Sequence, residues 1–415
     1  MLKSRVFTSR SSLALALVLS LAPCVAQGAE KVLHAFLGGT DGFAPASGLT
    51  LGSSKFMYGT TMAGGDASCP NNNQGSGCGI IFRVDTAGEE KVLYVFSGGN
   101  SDGAFPQGGL IADNAGNYYG VTGAGGPDNA GTVYKLASDG TESIVYAFLG
   151  GSDGNGPTGN LALDSNGNLY GATNQGGNLS CSPPSGCGTV FEISPGGTLT
   201  VLHTFQGGTD GETPLGGVIF DSSGNLYGTT WEGGNGADCG SSGCGTVFKI
   251  APDGTETILH AFPFDGSDGA IPESTLTMDG SGNLFGTTIE GGTCLYSSGC
   301  GTVFKVAPDG TETVLYSFQA GDDGYFPFAG VVMDSKGNLY GTTKFGGSRG
   351  CKKRQGCGTV FKLTPAGKES VLFAFKKGHG GYGPVAPLLL AGKKLYGTAL
   401  QGGKGNNGVV FEVKK

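Results

Sequence analysis

Apolar and polar positions alternate along this chain in short bursts, and the bursts recur as a set of four. In one copy, an apolar run at 215–221 turns through S-S-G-N into L-Y-G-T-T at 226–230. A Gly-rich stretch leads to G-T-V-F-K-I at 245–250, and A-P-D-G then turns into T-E-T-I-L-H-A-F at 255–262. Short runs rich in Val, Ile, Thr, Tyr and Phe, bounded by Gly, Asn, Asp and Pro, are strands joined by turns. Asp-Gly and Gly-Asn supply the positive-φ positions that tight turns need. No 3.6-residue period appears beyond the N-terminus, so no helical layer is expected.

Strands a to d of this set are written seven times. The aromatic–Gly core of strand b falls at Tyr58, Tyr119, Tyr170, Tyr227, Phe285, Tyr340 and Tyr396, with spacings of 61, 51, 57, 58, 55 and 56 residues. Four antiparallel strands in a unit of about 50 residues make a propeller blade. The chain ends predict how the ring closes. Residues 31–36 (K-V-L-H-A-F) form a d strand with no a, b or c before it, and 408–415 form a c strand with no d after it. The orphan d strand completes the last blade and leaves no bare sheet edge. The expectation is an all-β, seven-bladed β-propeller of four-stranded antiparallel blades, one domain over 27–415.

Composition refines this picture. The 83 glycines among 415 residues would suggest low complexity, but they recur at fixed places and read as turn and close-packing positions. Lys3, Arg5 and Arg10 precede a short apolar stretch at 13–22, and small residues permit cleavage after Ala26. That is an export leader over 1–26, too short to span a bilayer. The formal net charge is −8, and it becomes more negative once these three basic residues are gone. An acidic surface argues against nucleic acid and anionic membranes as partners.

Ten of the eleven cysteines form five close pairs: Cys69/Cys78, Cys181/Cys187, Cys239/Cys244, Cys294/Cys300 and Cys351/Cys357. Each pair sits in a b–c connection, and blades two and seven have none there. Zinc needs four ligands where each loop offers two, without C-x-x-C spacing. Disulfides of an exported protein are expected, with no metal and no cofactor. Their expected job is to stiffen loops, with the fold resting on blade packing.

The a–b and c–d turns are tight and share one face; the d–a and b–c connections are long and share the other. Function sits on long loops held by a rigid scaffold, so the long-loop face is the candidate. Its d–a loops carry Asp41, Asp102, Asp153, Asp210, Asp268 and Asp323, with Gly380 beside His379 in the seventh. Such a ring can hold cations near the axis; the simpler reading is that each Asp caps its own turn. His34, His203 and His260 take the slot of Tyr in other d strands and read as packing residues with a polar tip.

After strand b, two positions vary on a repeated frame: Met62-Ala63, Gly123-Ala124, Asn174-Gln175, Trp231-Glu232, Ile289-Glu290, Lys344-Phe345 and Leu400-Gln401. Trp231 is the one Trp of the chain, and Tyr325 and Phe326 stand in a nearby d–a loop. Aromatic faces beside carboxylates suit sugars, whose rings offer C–H faces and hydroxyl edges. The candidate ligand-binding residues are Trp231, Glu232, Glu290, Lys344, Phe345, Tyr325 and Phe326. The alternative for each ring is packing between blades. An enzyme reading pairs Glu232 with Glu290 as acid and base or nucleophile, with Glu212 and Glu273 in reserve; ordinary solvated loop charge is the competing reading. No G-x-S-x-G elbow supports a Ser–His–Asp triad. D-S-N-G-N at 164–168 echoes a calcium loop but lacks its later Glu.

The phrase G-N-L-Y-G-T-T-x-x-G-G, followed by G-C-G-T-V-F-K-I-x-P-D-G-T-E-T-x-L-x-x-F, resembles the GloVer tandem-repeat family from about Lys31 to the end. The resemblance implies an exported bacterial repeat protein of a family whose members differ in their surface anchor, and it implies no assigned chemistry. The last repeat ends on a strand at Lys415, so no anchor is expected after it. L-A-P-C at 21–24 looks like a lipoprotein signal, but Pro23 replaces the usual small residue, which argues against a lipid anchor at Cys24. The expected function is a monomeric binding or scaffold module, secreted, periplasmic or at the cell surface. It has no transmembrane segment in the mature chain, and its partner is a carbohydrate or another surface protein. A polysaccharide hydrolase or lyase is the alternative, and a purely structural surface protein the third reading.

Overall fold

Each L-Y-G-T-T run is hydrogen-bonded on both sides. In the fourth copy, Leu226–Thr230 pairs with Ile219–Phe220 on one edge and Thr246–Ile250 on the other, and Thr246–Ile250 pairs with Glu256–Ala261. The same a-b-c-d antiparallel order recurs in seven four-stranded sheets. The seventh is built from both chain ends: Lys31–Ala35 pairs with Val409–Lys414, matching Lys31 to Glu412 and Ala35 to Val409. The molecule is a closed seven-bladed β-propeller, as the orphan strands require. Lys415 adds a further tie, its Nζ 2.7 Å from Asp334 in the a–b turn of blade 6. This structure, a computed structural model, describes residues 30–415 except 53–54, 71–75, 235–238, 240–242, 264, 295, 297, 348–350, 352–355 and 379. The leader and Cys24 lie outside the described residues, as does His379. Among the described residues no helix is long and apolar enough to cross a membrane.

The repeated letters are packing instructions. The Gly of strand b faces the aromatic ring of strand c: a Cβ on Gly228 would lie 2.5 Å from Phe248 Cζ. The Gly that opens strand c meets the Pro of the next blade: a Cβ on Gly245, at φ +93°, would lie 2.6 Å from Pro272 Cδ. The Phe after strand d is fully buried and meets the strand c ring of the following blade edge-on. Phe262 to Phe304 is typical, with centroids 5.2 Å apart. Seven such pairs circle the ring at 5.0–5.3 Å. Each Phe contributes about 1.5–3 kcal/mol by burial, and each edge-to-face pair about 0.5–1.5 kcal/mol more.

The outer end of each seam is polar. Tyr94, Tyr146 and Tyr316 donate to Asp102, Asp153 and Asp323 at 3.0 Å. His34, His203 and His260 Nε2 stand 3.3, 3.3 and 2.9 Å from Asp41, Asp210 and Asp268. Each of these six carboxylates also accepts a backbone N–H of its own loop, from Leu37, Ser97, Leu149, Gln206, Gly269 and Gln319. The Asp residues therefore cap their own turns beside the outer strands and form no ring at the axis. In the seventh seam Phe373 and Gly380 replace the pair, and Glu30 accepts from Gly381 N at 3.0 Å instead. The a–b Asp residues, including Asp164 of the calcium-like loop, are likewise spent on backbone N–H groups and an Asn of the same turn.

All five expected pairs are disulfide-bonded: Cys69–Cys78, Cys181–Cys187, Cys239–Cys244, Cys294–Cys300 and Cys351–Cys357, with Cα–Cα separations of 5.2–6.0 Å. Each closes a small loop, worth about 2 kcal/mol in the chain-entropy model. Beyond the loops they close, the disulfides also reach into the blade packing. The second cysteine of every pair belongs to the core: Cys78, Cys187, Cys244 and Cys300 are fully buried, and Cys357 is 1% exposed. Cys78 packs in one cluster with Phe96 and Tyr134, and Cys357 in another with Val360 and Phe375. The physical reason is the next residue. Gly79 and Gly358 open strand c against Pro106 and Pro384 of the following blade, which draws the preceding cysteine beneath the seam. Its carbonyl then accepts a backbone N–H from that blade's d–a segment. Cys78 accepts from Phe105 at 2.8 Å, Cys187 from Thr213 at 2.9 Å and Cys244 from Ile271 at 2.8 Å. Cys300 accepts from Phe326 and Cys357 from Gly383, both at 2.9 Å. Each staple thus holds an acceptor that joins two blades.

The long-loop face is more ordered than its Gly-rich sequence suggests. The d–a segments pair with the end of strand b, as in Gly269–Ala270 with Glu290–Gly291 and the bridges Glu212↔Glu232 and Tyr325↔Phe345. The chain then turns inward through a left-handed residue before each Pro, among them Thr213, Ile271 and Phe326 with φ of 57°, 61° and 56°. A non-Gly residue there costs about 1–3 kcal/mol, offset by its two backbone hydrogen bonds: Phe326 N to Cys300 O, and Lys344 N to Phe326 O at 3.1 Å.

Candidate functional site

That inward turn decides what faces the axis. The residue after each Pro is Ala46, Gln107, Thr158, Leu215, Glu273, Phe328 or Val385, and all seven line one cavity of about 340 Å³. Every blade contributes, so the cavity is the axial funnel. A second tier comes from the first variable position after strand b: Met62, Lys344 and Leu400. The floor is set by strand a segments so close that a Cβ on Gly159 would lie 2.2 Å from Gly217 N. Side chains there are partly tied together: Asn160 Oδ1 accepts from Gly109 N at 2.5 Å, and Thr158 Oγ1 donates to Leu215 O at 3.2 Å.

Two charged side chains face this cavity without being spent on each other. Burial pushes the Glu273 carboxyl up to about 7, with the Lys344 charge pulling the other way. Burial also lowers the Lys344 ammonium, opposed by Glu273. They form no direct ion pair, and neither has a side-chain hydrogen bond among the described residues. Lys344 Nζ lies 4.2 Å from the Phe328 ring centroid and 5.6 Å from that of Phe345. An acceptor, a donor and an aromatic plane thus share a polar-floored pocket, the mix that holds a small polar ligand.

The residues singled out from the sequence divide into groups. Lys344 lines the funnel and also a neighbouring groove of about 440 Å³ with Phe345, Lys377 and Tyr382. Phe345, Phe326 and Tyr325 cluster with ring centroids 5.0–6.1 Å apart. Tyr325 is only 5% exposed, so its ring is largely core. Glu232 sits against Glu212, and burial raises both carboxyls, with the Glu232 charge adding to the shift of Glu212. Glu290 pairs with Ala270 in the d–a segment that enters the same blade, and burial raises its carboxyl. Trp231, half-buried, donates its backbone N–H to Thr213 O at 3.0 Å. The funnel lining includes Glu273 and Lys344 but not Trp231, Glu232 or Glu290. The ring of residues after Pro was missed from the sequence. Its signal is one variable letter behind an invariant one, seven times over.

Fold and funnel together define the class as a closed propeller with an axial cavity on its long-loop face. The chain belongs to the Gloeobacter/Verrucomicrobia repeat family, which matches residues 16–240 and 236–415. No curated protein matches it in sequence. Among solved structures it is similar to the protein described as the extracellular domain of a one component system from B. thetaiotaomicron. That likeness has a TM-score of 0.54 at 10% identity, over 93% of this chain and 40% of that one. It is also similar to puromycin hydrolase, with a TM-score of 0.54 at 14% identity over 86% of this chain and 50% of that one. The chain thus spans half or less of either protein, and the likeness is one of fold. A protein described as a gluconolactonase matches with a TM-score of 0.39 at 16% identity, over 68% of this chain and 80% of that one.

Proposed function

We propose that this protein is an exported binding module whose ligand is a saccharide seated in the axial funnel. The observation that carries the reading is the unpaired Glu273 and Lys344 beside Phe328 in a cavity to which all seven blades contribute. Sugar hydroxyls need both an acceptor and a donor, and a C–H face needs a ring. Trp231, Glu232 and Glu290 remain candidates for an outer subsite on the same face, with Phe345 and Phe326 beside the groove. The five disulfides fit an oxidising compartment. With a leader over 1–26, the mature protein is a single-domain monomer in the periplasm, at the cell surface or outside.

The hydrolase or lyase reading has less support. It needs two carboxylates across one sugar bond, and among the described residues a single carboxylate, Glu273, lines the funnel. Titration calorimetry of the full chain against a panel of neutral and charged oligosaccharides tests the proposal. A binder is expected whose affinity falls at least about tenfold, or about 1.4 kcal/mol, in Glu273→Gln and in Lys344→Ala. A panel with no binder, or variants that bind as tightly as the parent, would overturn it. Product formation abolished by Glu232→Gln would establish the enzyme reading instead.

A further inference from the structure

The outer seams repeat one arrangement with two chemistries. Three seams place an imidazole, the Asp of the following loop and the Glu that opens strand d of the next blade around one point: His34–Asp41–Glu90, His203–Asp210–Glu256 and His260–Asp268–Glu312. We propose that these three seams are divalent-cation sites, each taking one borderline cation of the Zn²⁺ class between two blades.

Geometry supports this first. In each triad one ligand atom per residue lies within 4.8 Å of the other two, and the Nε2-to-carboxylate distances are 3.3, 3.3 and 2.9 Å. Ligands at about 2.0–2.2 Å from one ion stand about 3–3.5 Å apart in a tetrahedron, so small side-chain movements complete the site. Two carboxylates and one imidazole are a donor set that suits zinc, and three protein ligands leave a position for water. The His side chains are 16–18% exposed, which leaves an entry path.

Charge supports it second. Two carboxylates are held together at each seam, and among the described residues no Lys or Arg pairs with them. The Oε1 atoms of Glu90, Glu256 and Glu312 are buried with no hydrogen-bond partner, as are those of Glu142 and Glu369 in two of the Tyr seams. A divalent ion neutralises both charges and satisfies those oxygens.

The remaining seams serve as an internal contrast. Tyr94 and Tyr316 hold the same Asp at 3.0 Å through a phenol, which keeps the hydrogen bond and offers no neutral nitrogen. Where Leu199 replaces the Glu, the partner in the seam is Tyr146, not histidine. Both carboxylates are present in the Tyr94 and Tyr316 seams as well, as Asp102 with Glu142 and Asp323 with Glu369, so the imidazole is what sets the three proposed sites apart.

The test uses the full mature chain without a polyhistidine tag, stripped with chelator and dialysed against Zn²⁺, with bound metal counted by elemental mass spectrometry. Three equivalents are expected. His260→Tyr should leave two, and the triple His34→Tyr, His203→Tyr, His260→Tyr variant none. Tyr is the residue that other seams already use, so the triple variant should melt as the chelated parent does but lose the rise in Tm on adding Zn²⁺. Glu312→Gln, a smaller change, should also remove one equivalent. A parent that binds no zinc, or a count unchanged by both His260→Tyr and Glu312→Gln, would overturn the proposal and leave protons as what the triads share.

Discussion

The seams between blades and the rim of the funnel are built from the same repeat, yet they treat it in opposite ways. At the seams the same contacts return blade after blade: Phe on an aromatic ring, Gly against Pro and, in six of the seven, an Asp under the outer strand. At the funnel rim the frame returns but its letters change, from Ala46 and Gln107 to Glu273 and Phe328. Seam positions are fixed by close contact: a Cβ on Gly245 or Gly228 would meet heavy atoms at 2.6 or 2.5 Å. Rim positions look into open space and are free to differ. The difference separates what holds the ring from what it offers to a ligand.

The largest effect comes from breaking a seam outright. Deleting residues 31–36 removes the d strand of blade 7 with the buried Phe36, and bares the edge of Val409–Lys414. The whole ring should lose cooperativity, read as a lower and broader calorimetric transition. An unchanged transition would refute closure by that strand. Phe262→Ala should cost about 3–5 kcal/mol by urea unfolding, because it empties a fully buried seam. Gly228→Ala should cost about 1–3 kcal/mol by crowding Phe248.

A subtler break uses pH. Glu142, in a Tyr seam, is pushed up to about 7 by burial and then by the neighbouring Asp102. The folded form therefore binds more protons than the unfolded one, whose carboxyl sits near its ordinary value. This contribution is fully present below the unfolded pKa and fades as pH rises toward 7 and beyond. Urea midpoints of Glu142→Gln should fall off less than those of the parent between pH 5 and pH 8; parallel curves would contradict this. The smallest effect on stability belongs to the rim: Lys344→Ala should stay within about 0.5 kcal/mol of the parent while losing ligand.

The ring was legible in the sequence because strands, turns and packing all leave marks there. Two runs without partners, 31–36 and 408–415, predicted the closure seen in the paired termini. Cysteine spacing predicted the disulfides but not their depth: Cys78 and Cys357 stand in Gly-rich loops by local reading, yet the next blade covers them. The funnel was less legible. The longest loops and the single Trp are the conspicuous features of the sequence, while the cavity lining comes from the residue after each Pro, where a left-handed turn redirects the chain. That turn breaks the usual extended preference of a residue before Pro, so local reading placed these residues in loops. Lys344 was found because the pattern after strand b varies. Glu273 stood only in reserve, since its partner across the funnel comes from the neighbouring blade.

Crystals soaked with a mixed panel of oligosaccharides test the central claim most directly. The account predicts saccharide density inside the axial funnel, with hydroxyls within hydrogen-bond reach of Glu273 and Lys344 and the disulfide-stapled loops unmoved. Saccharide density confined to the outer surface, with only water in the funnel, would contradict it.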